Sequence, residues 1–319
     1  MPVVTLESLR TADAEAAARF FAEVDPEQLV AGVAATGDDA LLDLIGREEV
    51  RSAAVVGILE RLHEYAVPER LAALEGVVRF DLERRGKLLE RHALHFAAGA
   101  LTTVPRVAAG AHADVVMRTS LLRFVRLVTG ERNAGLEYLA GHLDIEGDAD
   151  LALAVGGLFQ VPGTHRVAVD PRALDPVAVA TVLARVKPDH LRKVMRSGFR
   201  DVVLGEIFRR LPDFLDPHRA RKADLTVGFR LLGHPAGEIE RYVVRVAAGA
   251  ATVTEVQGHD DGGAGERHAT VTLEGHDFLR LATGHLSPIT GVLKGQLKVR
   301  GDKARALQLA GLFDIPSAP

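Results

Sequence analysis

The chain contains no cysteine and no tryptophan. Without thiols there can be no disulfide, no thiol nucleophile and no cysteine-held metal or cluster. Aromatic residues make up only 5% of the 319 positions, and no apolar run approaches the roughly 20 residues that a membrane span requires. The N-terminus lacks a basic segment followed by an apolar one, so no secretory signal is read there and the expected compartment is the cytoplasm. Glycine-rich phosphate loops and a Gly-x-Ser-x-Gly elbow are missing too. Thirteen histidines are scattered along the chain. His92 and His95 stand three apart on what reads as a strand, so they point to opposite faces and cannot chelate together. These absences lead to an expectation of no metal, no cofactor and no nucleic-acid partner.

What is present is a duplication. Residues 124 to 162 return without a gap as residues 278 to 316, with 16 of 39 positions identical at a constant offset of 154. Phe124 and Phe278, Arg126 and Arg280, Gly130 and Gly284, Gly147 and Gly301, Asp148 and Asp302, and Phe159 and Phe313 all match. Further upstream ERHALHFAAGA (Glu90 to Ala100) pairs with ERYVVRVAAGA (Glu240 to Ala250), and Asp25-Pro26 pairs with Asp175-Pro176. A unit this long is a domain, since solenoid repeats run to roughly 20 to 50 residues. The expected organisation is a helical arm over 1–24, a first domain over 25–165 and a second over 166–319. The copies have diverged in charge: residues 1 to 165 carry 16 basic and 25 acidic side chains, and residues 166 to 319 carry 23 and 18.

Each copy reads as helices, then strands, then helix–strand–helix. In VRSAAVVGILERLH the apolar positions Val50, Ala54, Ile58 and Leu62 recur every four residues, as on one helix face. GVVRFDL and LTVGFRL alternate as strands do, and His92, Leu94 and Phe96 alternate with Ala93, His95 and Ala97. Gly99 and Gly249 mark turns, and Gly258 to Gly265 reads as a hairpin loop. In GHLDIEG, Leu143 and Ile145 face the core while His142, Asp144 and Glu146 face out. The Gly-Asp pair that follows places Asp148 and Asp302 before a helix, where an N-cap is a far better reading than a catalytic carboxylate.

A helix ending in Thr-Gly, then Pro288, a Gly-x-Leu-x-Val-x-Gly-Asp strand and turn, and a helix finishing Leu-x-x-Leu-Phe resemble the C-terminal half of the sterol carrier protein type-2 lipid-binding family. The second copy matches best; the first has Asn133-Ala134 where the second has Ser287-Pro288. The resemblance implies an α+β fold in two tandem sterol-carrier-like domains, each a five-stranded, mostly antiparallel sheet covered by helices around an apolar tunnel. It also implies non-catalytic binding or transfer of a fatty acid, fatty acyl-CoA, sterol or phospholipid, with no catalytic residue. An enzyme that uses the tunnel to cyclise or isomerise a hydrophobic substrate, and a scaffold with filled pockets, stay open as alternatives.

The candidate ligand-contacting residues are Phe278, Leu281, Leu312, Phe313, Phe208 and Val244 in the second copy. Phe124, Leu127, Leu158, Phe159, Leu94 and Phe96 are their companions in the first. They are aromatic and aliphatic side chains at helix or strand spacing, where core and tunnel wall overlap. Arg126 and Arg280 read as salt-bridging residues on a helix surface, and His95 and Arg245 as solvent-facing strand positions or polar anchors. Lys298, Arg300, Lys303 and Arg305 form a basic edge where the first copy is acidic. That edge suits an anionic membrane surface or an acidic carrier protein.

Overall fold

The computed structural model describes residues 5–164, 166–256 and 267–316. Two compact units divide the chain, Met1–Asp170 and Pro171–Pro319. The first opens with a short 3-10 helix, Leu6–Arg10, then α1 (Ala14–Glu23), α2 (Pro26–Ala34), α3 (Asp38–Gly46), α4 (Glu48–Arg61) and the single turn α5 (Pro68–Leu71). There follow β1 (Gly76–Arg84), β2 (Lys87–Ala97), β3 (Ala100–Val104), β4 (Val115–Ser120), α6 (Leu121–Val128), α7 (Ala134–Leu139), β5 (Leu143–Gly147) and α8 (Ala149–Leu158). The second unit repeats this order from α2 onward: α9 (Pro176–Leu183), α10 (Pro188–Val194), α11 (Arg200–Arg210), α12 (Pro217–Ala220), β6 (Asp224–Leu232), β7 (Glu240–Ala247) and β8 (Ala250–Glu255). It ends with β9 (Ala269–Glu274), α13 (Gly275–Ala282), α14 (Pro288–Leu293), β10 (Lys298–Gly301) and α15 (Lys303–Ala310). The stretch read as a hairpin loop, Gly258 to Gly265, lies outside the described residues.

Both units are α+β, each with a five-stranded sheet, ordered β3-β2-β1-β4-β5 in the first and β8-β7-β6-β9-β10 in the second. The central pairs β1·β4 and β6·β9 are parallel and all others antiparallel. Helices cover one face. In the first unit α4 packs on β2 and β3, α6 on β1 and β4, and α8 on β4 and β5; in the second α13 and α15 lie on β6 and β9.

Local chemistry explains the punctuation. Asp25 and Asp175 each cap a helix with proline at its start, accepting from Gln28 N at 3.0 Å and from Ala178 N at 3.0 Å, so that orphan N–H groups are satisfied. The β2–β3 turn places Ala98 at φ 50° and Gly99 at φ 76°, with Ala248 and Gly249 alike. Two left-handed residues in a row make the tight turn whose twist matches the flanking strands. Gly147 is required for a different reason. At φ +103° its missing Cβ would stand 2.0 Å from the Asp114 carbonyl oxygen, and Gly301 repeats the approach at 2.6 Å from that of His268. The next residue then caps the last helix: Asp148 accepts from Asp150 N and Leu151 N, and Asp302 from Ala304 N and Arg305 N.

The N-terminal helices have a packing role. Leu6, Leu9, Ala17 and Phe21 form a buried cluster with Val33, Leu41, Leu44 and Val50. Arg47 ties the arm down by donating to the carbonyls of Leu9 and Ala12, each at 2.7 Å. Among the described residues no helix is long and apolar enough to cross a membrane.

Candidate ligand site

The helix-facing side of each sheet follows from strand register. In the first unit it presents Val78, Phe80 and Leu82 from β1, Glu90, His92, Leu94 and Phe96 from β2, Val115, Met117 and Thr119 from β4, and Leu143 and Ile145 from β5. Val78, Leu82, Leu94 and Val115 are completely buried. The equivalent layer of the second unit includes Leu225, Val227, Leu231, Val244 and Val246, all completely buried. This interior is therefore apolar by construction, with period-2 alternation placing one side chain in two against the helices.

The proposed contact residues fall in two places. Phe208 on α11 and Phe278 on α13 meet in a ring stack, 4.7 Å between centroids, with Tyr242 lying 3.8 Å from Phe208 and Phe229 at 5.8 Å from Phe278. In the first unit Phe124 meets Phe80 at 5.8 Å, while Leu59 stands where the second unit has Phe208 and His92 where it has Tyr242. Leu94, Phe96 and Val244 lie beside these groups on the sheet, and Leu127 and Leu281 are half-buried on α6 and α13. Leu158, Phe159, Leu312 and Phe313 are buried at the ends of α8 and α15. There the backbone bonds to an earlier segment, Val67 N to Leu158 O at 3.0 Å and Asp216 N to Leu312 O at 2.8 Å.

Within this apolar layer lies a polar group that inspection of single motifs passes over. Arg51 of α4 donates to Glu90 of β2 at 2.8 Å, and Glu90 in turn meets His92 Nε2 at 3.1 Å. The second unit repeats the pair: Arg200, 1% exposed, donates through Nε and Nη2 to Glu240 and also to the carbonyls of Met195 and Leu232. Burial alone would push the Glu90 carboxyl up, but hydrogen bonds from His92 and Arg51 outweigh it and hold the group below the usual range. The neighbouring Tyr242 phenol moves the other way, pushed up by burial and then by Glu255 and Glu240. A signal for the pair was present in the repeat. Glu90 and Glu240 are identical, and they share strand parity with Leu94 and Val244, which places a carboxylate on the buried face. Asp201, His234 and Glu240 bring ligand atoms within 4.8 Å of one another. Because Arg200 already occupies Glu240, this is a charge network rather than a cation site.

Other charged candidates resolve clearly. Arg126 is no surface residue. It is 9% exposed and donates to the carbonyls of Val33 and Thr36 while pairing with Asp38 and Glu131, because α6 runs against the exposed carbonyl end of α2. Arg280 is half-buried and bonds to the His285 carbonyl at 3.3 Å. His95 and Arg245 are exposed on the sheet face away from the helices. On that same face of the first unit Asp144 and Glu146 pair with Arg118 at 3.7 and 2.9 Å, and Arg91 pairs with Asp81 at 2.8 Å. The matching row of the second unit reads Lys298, Thr272, Arg230 and Arg241.

Comparison with known proteins bears on this arrangement. No curated protein sequence matches the chain. Among solved structures, the stereoselective inverting sec-alkylsulfatase Pisa1 from Pseudomonas sp. is 17% identical over 43% of this chain and 20% of its own length, TM-score 0.30; the chain thus spans about a fifth of that protein. Sterol Carrier Protein 2 from Yarrowia lipolytica is 22% identical over 32% of this chain and 88% of its own, TM-score 0.27. Sterol Carrier Protein-2 like-3 from Aedes aegypti is 19% identical over 35% and 93%, TM-score 0.28. The sequence model of the SCP-2 sterol transfer family matches twice, over residues 57–160 and 206–314. Both matches run from the helix that carries Leu59 or Phe208, through the sheet, to the last helix, and the chain belongs to the SCP-2 sterol transfer family.

Proposed function

We propose that this protein binds and transfers a long-chain apolar ligand, a fatty acid, fatty acyl-CoA, sterol or phospholipid, between the sheet and helices of its units, without catalysis of its own. The observation that carries the reading is the helix-facing layer of each sheet, where completely buried Leu94, Val227 and Val244 adjoin the rings of Phe124, Phe208 and Phe278. An apolar ligand gains about 25 cal/mol for each Å² it removes from water, so shape and area suffice to hold it. Phe278, Leu281, Phe208, Val244, Phe124, Leu127, Leu94 and Phe96 would line the ligand, and Leu158, Phe159, Leu312 and Phe313 would close the helix ends. The ionised groups of the layer are bonded to each other, Arg51 to Glu90 and Arg200 to Glu240, which suits retention of a ligand better than its conversion. Native mass spectrometry of the full chain, followed by solvent extraction, tests this. We expect copurified lipid, and fatty acid or sterol rebinding after delipidation; a chain that neither carries nor rebinds any apolar molecule is a scaffold with filled interiors.

Delivery requires a docking surface, and the second unit offers one suited to an anionic phospholipid bilayer. On α14 Ile289 and Leu293 stand four apart on one helix face and are 61% and 82% exposed, with Leu307 of the adjoining α15 at 39%. Lys294 closes that helix and exposed Lys298, Arg300 and Lys303 follow it directly in the chain, so one segment carries both apolar side chains for insertion and charges for attraction. A basic residue near an anionic surface is worth ~1 kcal/mol, so losing two weakens binding roughly thirtyfold. We expect binding to phosphatidylserine-containing vesicles at low salt, little binding to neutral phosphatidylcholine, and a loss of at least that order in Lys298→Glu plus Arg300→Glu, which reverse both charges. Binding that is absent at low salt, or that ignores these substitutions, rules out the bilayer as the partner of this edge.

A further inference from the structure

The interior of the first unit holds a polar atom with nothing to bond. His92 is completely buried, its Nε2 lies 3.1 Å from Glu90 Oε2, and its Nδ1 has no hydrogen-bond partner. Glu90 is held as a carboxylate by Arg51 and His92, and a carboxylate only accepts. The shared proton therefore sits on Nε2. In the singly protonated ring that tautomer leaves Nδ1 a bare lone pair. Arg51 and Glu90 balance in charge, and that ring form adds no further charge to the interior, where burying an unpaired one is costly.

Folding does not require an imidazole at this point. The second unit places Tyr242 at the same strand position and covers it with the ring of Phe208 at 3.8 Å, whereas the first unit has Leu59 in place of that phenylalanine. A buried acceptor without a donor is destabilising unless something supplies one. We infer that His92 Nδ1 is the anchor for the hydroxyl head of a neutral apolar alcohol bound inside the first unit, its O–H donating to the ring nitrogen and its hydrocarbon body lying in the apolar layer. This rests on the reading of that layer as the ligand chamber. A fatty carboxylate fits the position poorly: it would set its own lone pairs against Nδ1 with Glu90 close behind.

The test uses the delipidated full chain and displacement of a fluorescent apolar probe by 1-hexadecanol, palmitate or hexadecane. We expect hexadecanol to displace the probe at roughly tenfold lower concentration than hexadecane, the effect of one buried hydrogen bond. His92→Leu should erase that ratio and leave hexadecane unchanged. His92→Phe, an aromatic ring with no hydrogen-bonding group, should do the same, and far-UV circular dichroism checks that both variants fold. In the wild-type chain, the 15N resonance of the buried histidine Nδ1 should move with hexadecanol and stay in place with hexadecane. An alcohol-to-alkane ratio that survives both substitutions, or an unmoved resonance, overturns the His92 anchor while leaving apolar binding intact. Failure of all three molecules to displace the probe defeats the ligand-binding reading itself, and the anchor with it.

Discussion

Replacing Glu240 with alanine is expected to lower the stability of the second unit by about 3–5 kcal/mol, because it strands a buried guanidinium. Arg200 is 1% exposed, and Glu240 supplies the charge that neutralises it through Nε and Nη2. The Met195 and Leu232 carbonyls at 2.8 and 3.0 Å would remain as acceptors, but dipoles do not cancel a full charge. A double replacement, Arg200→Met with Glu240→Leu, should recover most of the loss, since a packed apolar pair spares both desolvation costs. The parallel change in the first unit, Glu90→Ala, should be milder. Arg51 retains a little more exposure at 11% of its side chain, and its other bond, to Ile45 O, is 3.3 Å long. Two compact units need not unfold together, so the measurement is hydrogen exchange resolved on β2 and β7 amides rather than a single denaturation midpoint. A loss under 1 kcal/mol for Glu240→Ala, or a double variant no better than the single, would show that the pair contributes little.

How much of this was legible in the sequence depends on the reach of each interaction. Caps, turns and faces are local. Asp148 before an apolar run, Gly99 after alternating residues, and Leu143 and Ile145 at period two all carry their own physical reason, and the structure places them accordingly. The neighbours of a strand are not local. Alternation in GVVRFDL and HADVVM assigns faces, yet nothing in either segment says that β1 and β4 lie side by side and parallel. The salt bridging expected of Arg126 is present, but its burial escapes the sequence for the same reason: helix periodicity describes α6 alone, while the carbonyls that bury this arginine belong to Val33 and Thr36, some 90 positions earlier. The Arg51–Glu90 and Arg200–Glu240 pairs fall between these cases. Each bond joins residues about 40 apart, but both partners recur in the second copy, and the strand parity of the glutamates already places them among buried leucines and valines. A carboxylate in that phase requires a buried cation, which directs attention to an arginine repeated on a facing helix.

Removing the Phe208 ring tests both packing and function in the second unit. Phe208 is 4% exposed and lies in contact with three other rings, Tyr242 at 3.8 Å, Phe278 at 4.7 Å and Phe229 at 6.3 Å. Phe208→Ala should cost about 3–5 kcal/mol, the transfer free energy of the ring plus the cavity it leaves. If the space between α11, α13 and the sheet is where an apolar ligand sits, the loss is partly reversible. A ligand at a hundred times its dissociation constant adds about 2.7 kcal/mol to the state that binds it, and in the variant it also fills part of the cavity. Long-chain fatty acid or hexadecane should therefore protect the β6 and β7 amides of Phe208→Ala more than those of the wild-type chain. Leu204, one turn away on α11 and completely buried, supplies the control: Leu204→Ala should destabilise by 2–5 kcal/mol and gain no more from ligand than the wild type does. Equal protection of all three proteins would move the bound ligand away from the ring stack, and with it the assignment of Phe208 and Phe278 as its walls. Protection confined to the phenylalanine variant would identify the stack as a plug, an interior that the second unit fills with its own rings and that opens to a ligand only when one is taken away.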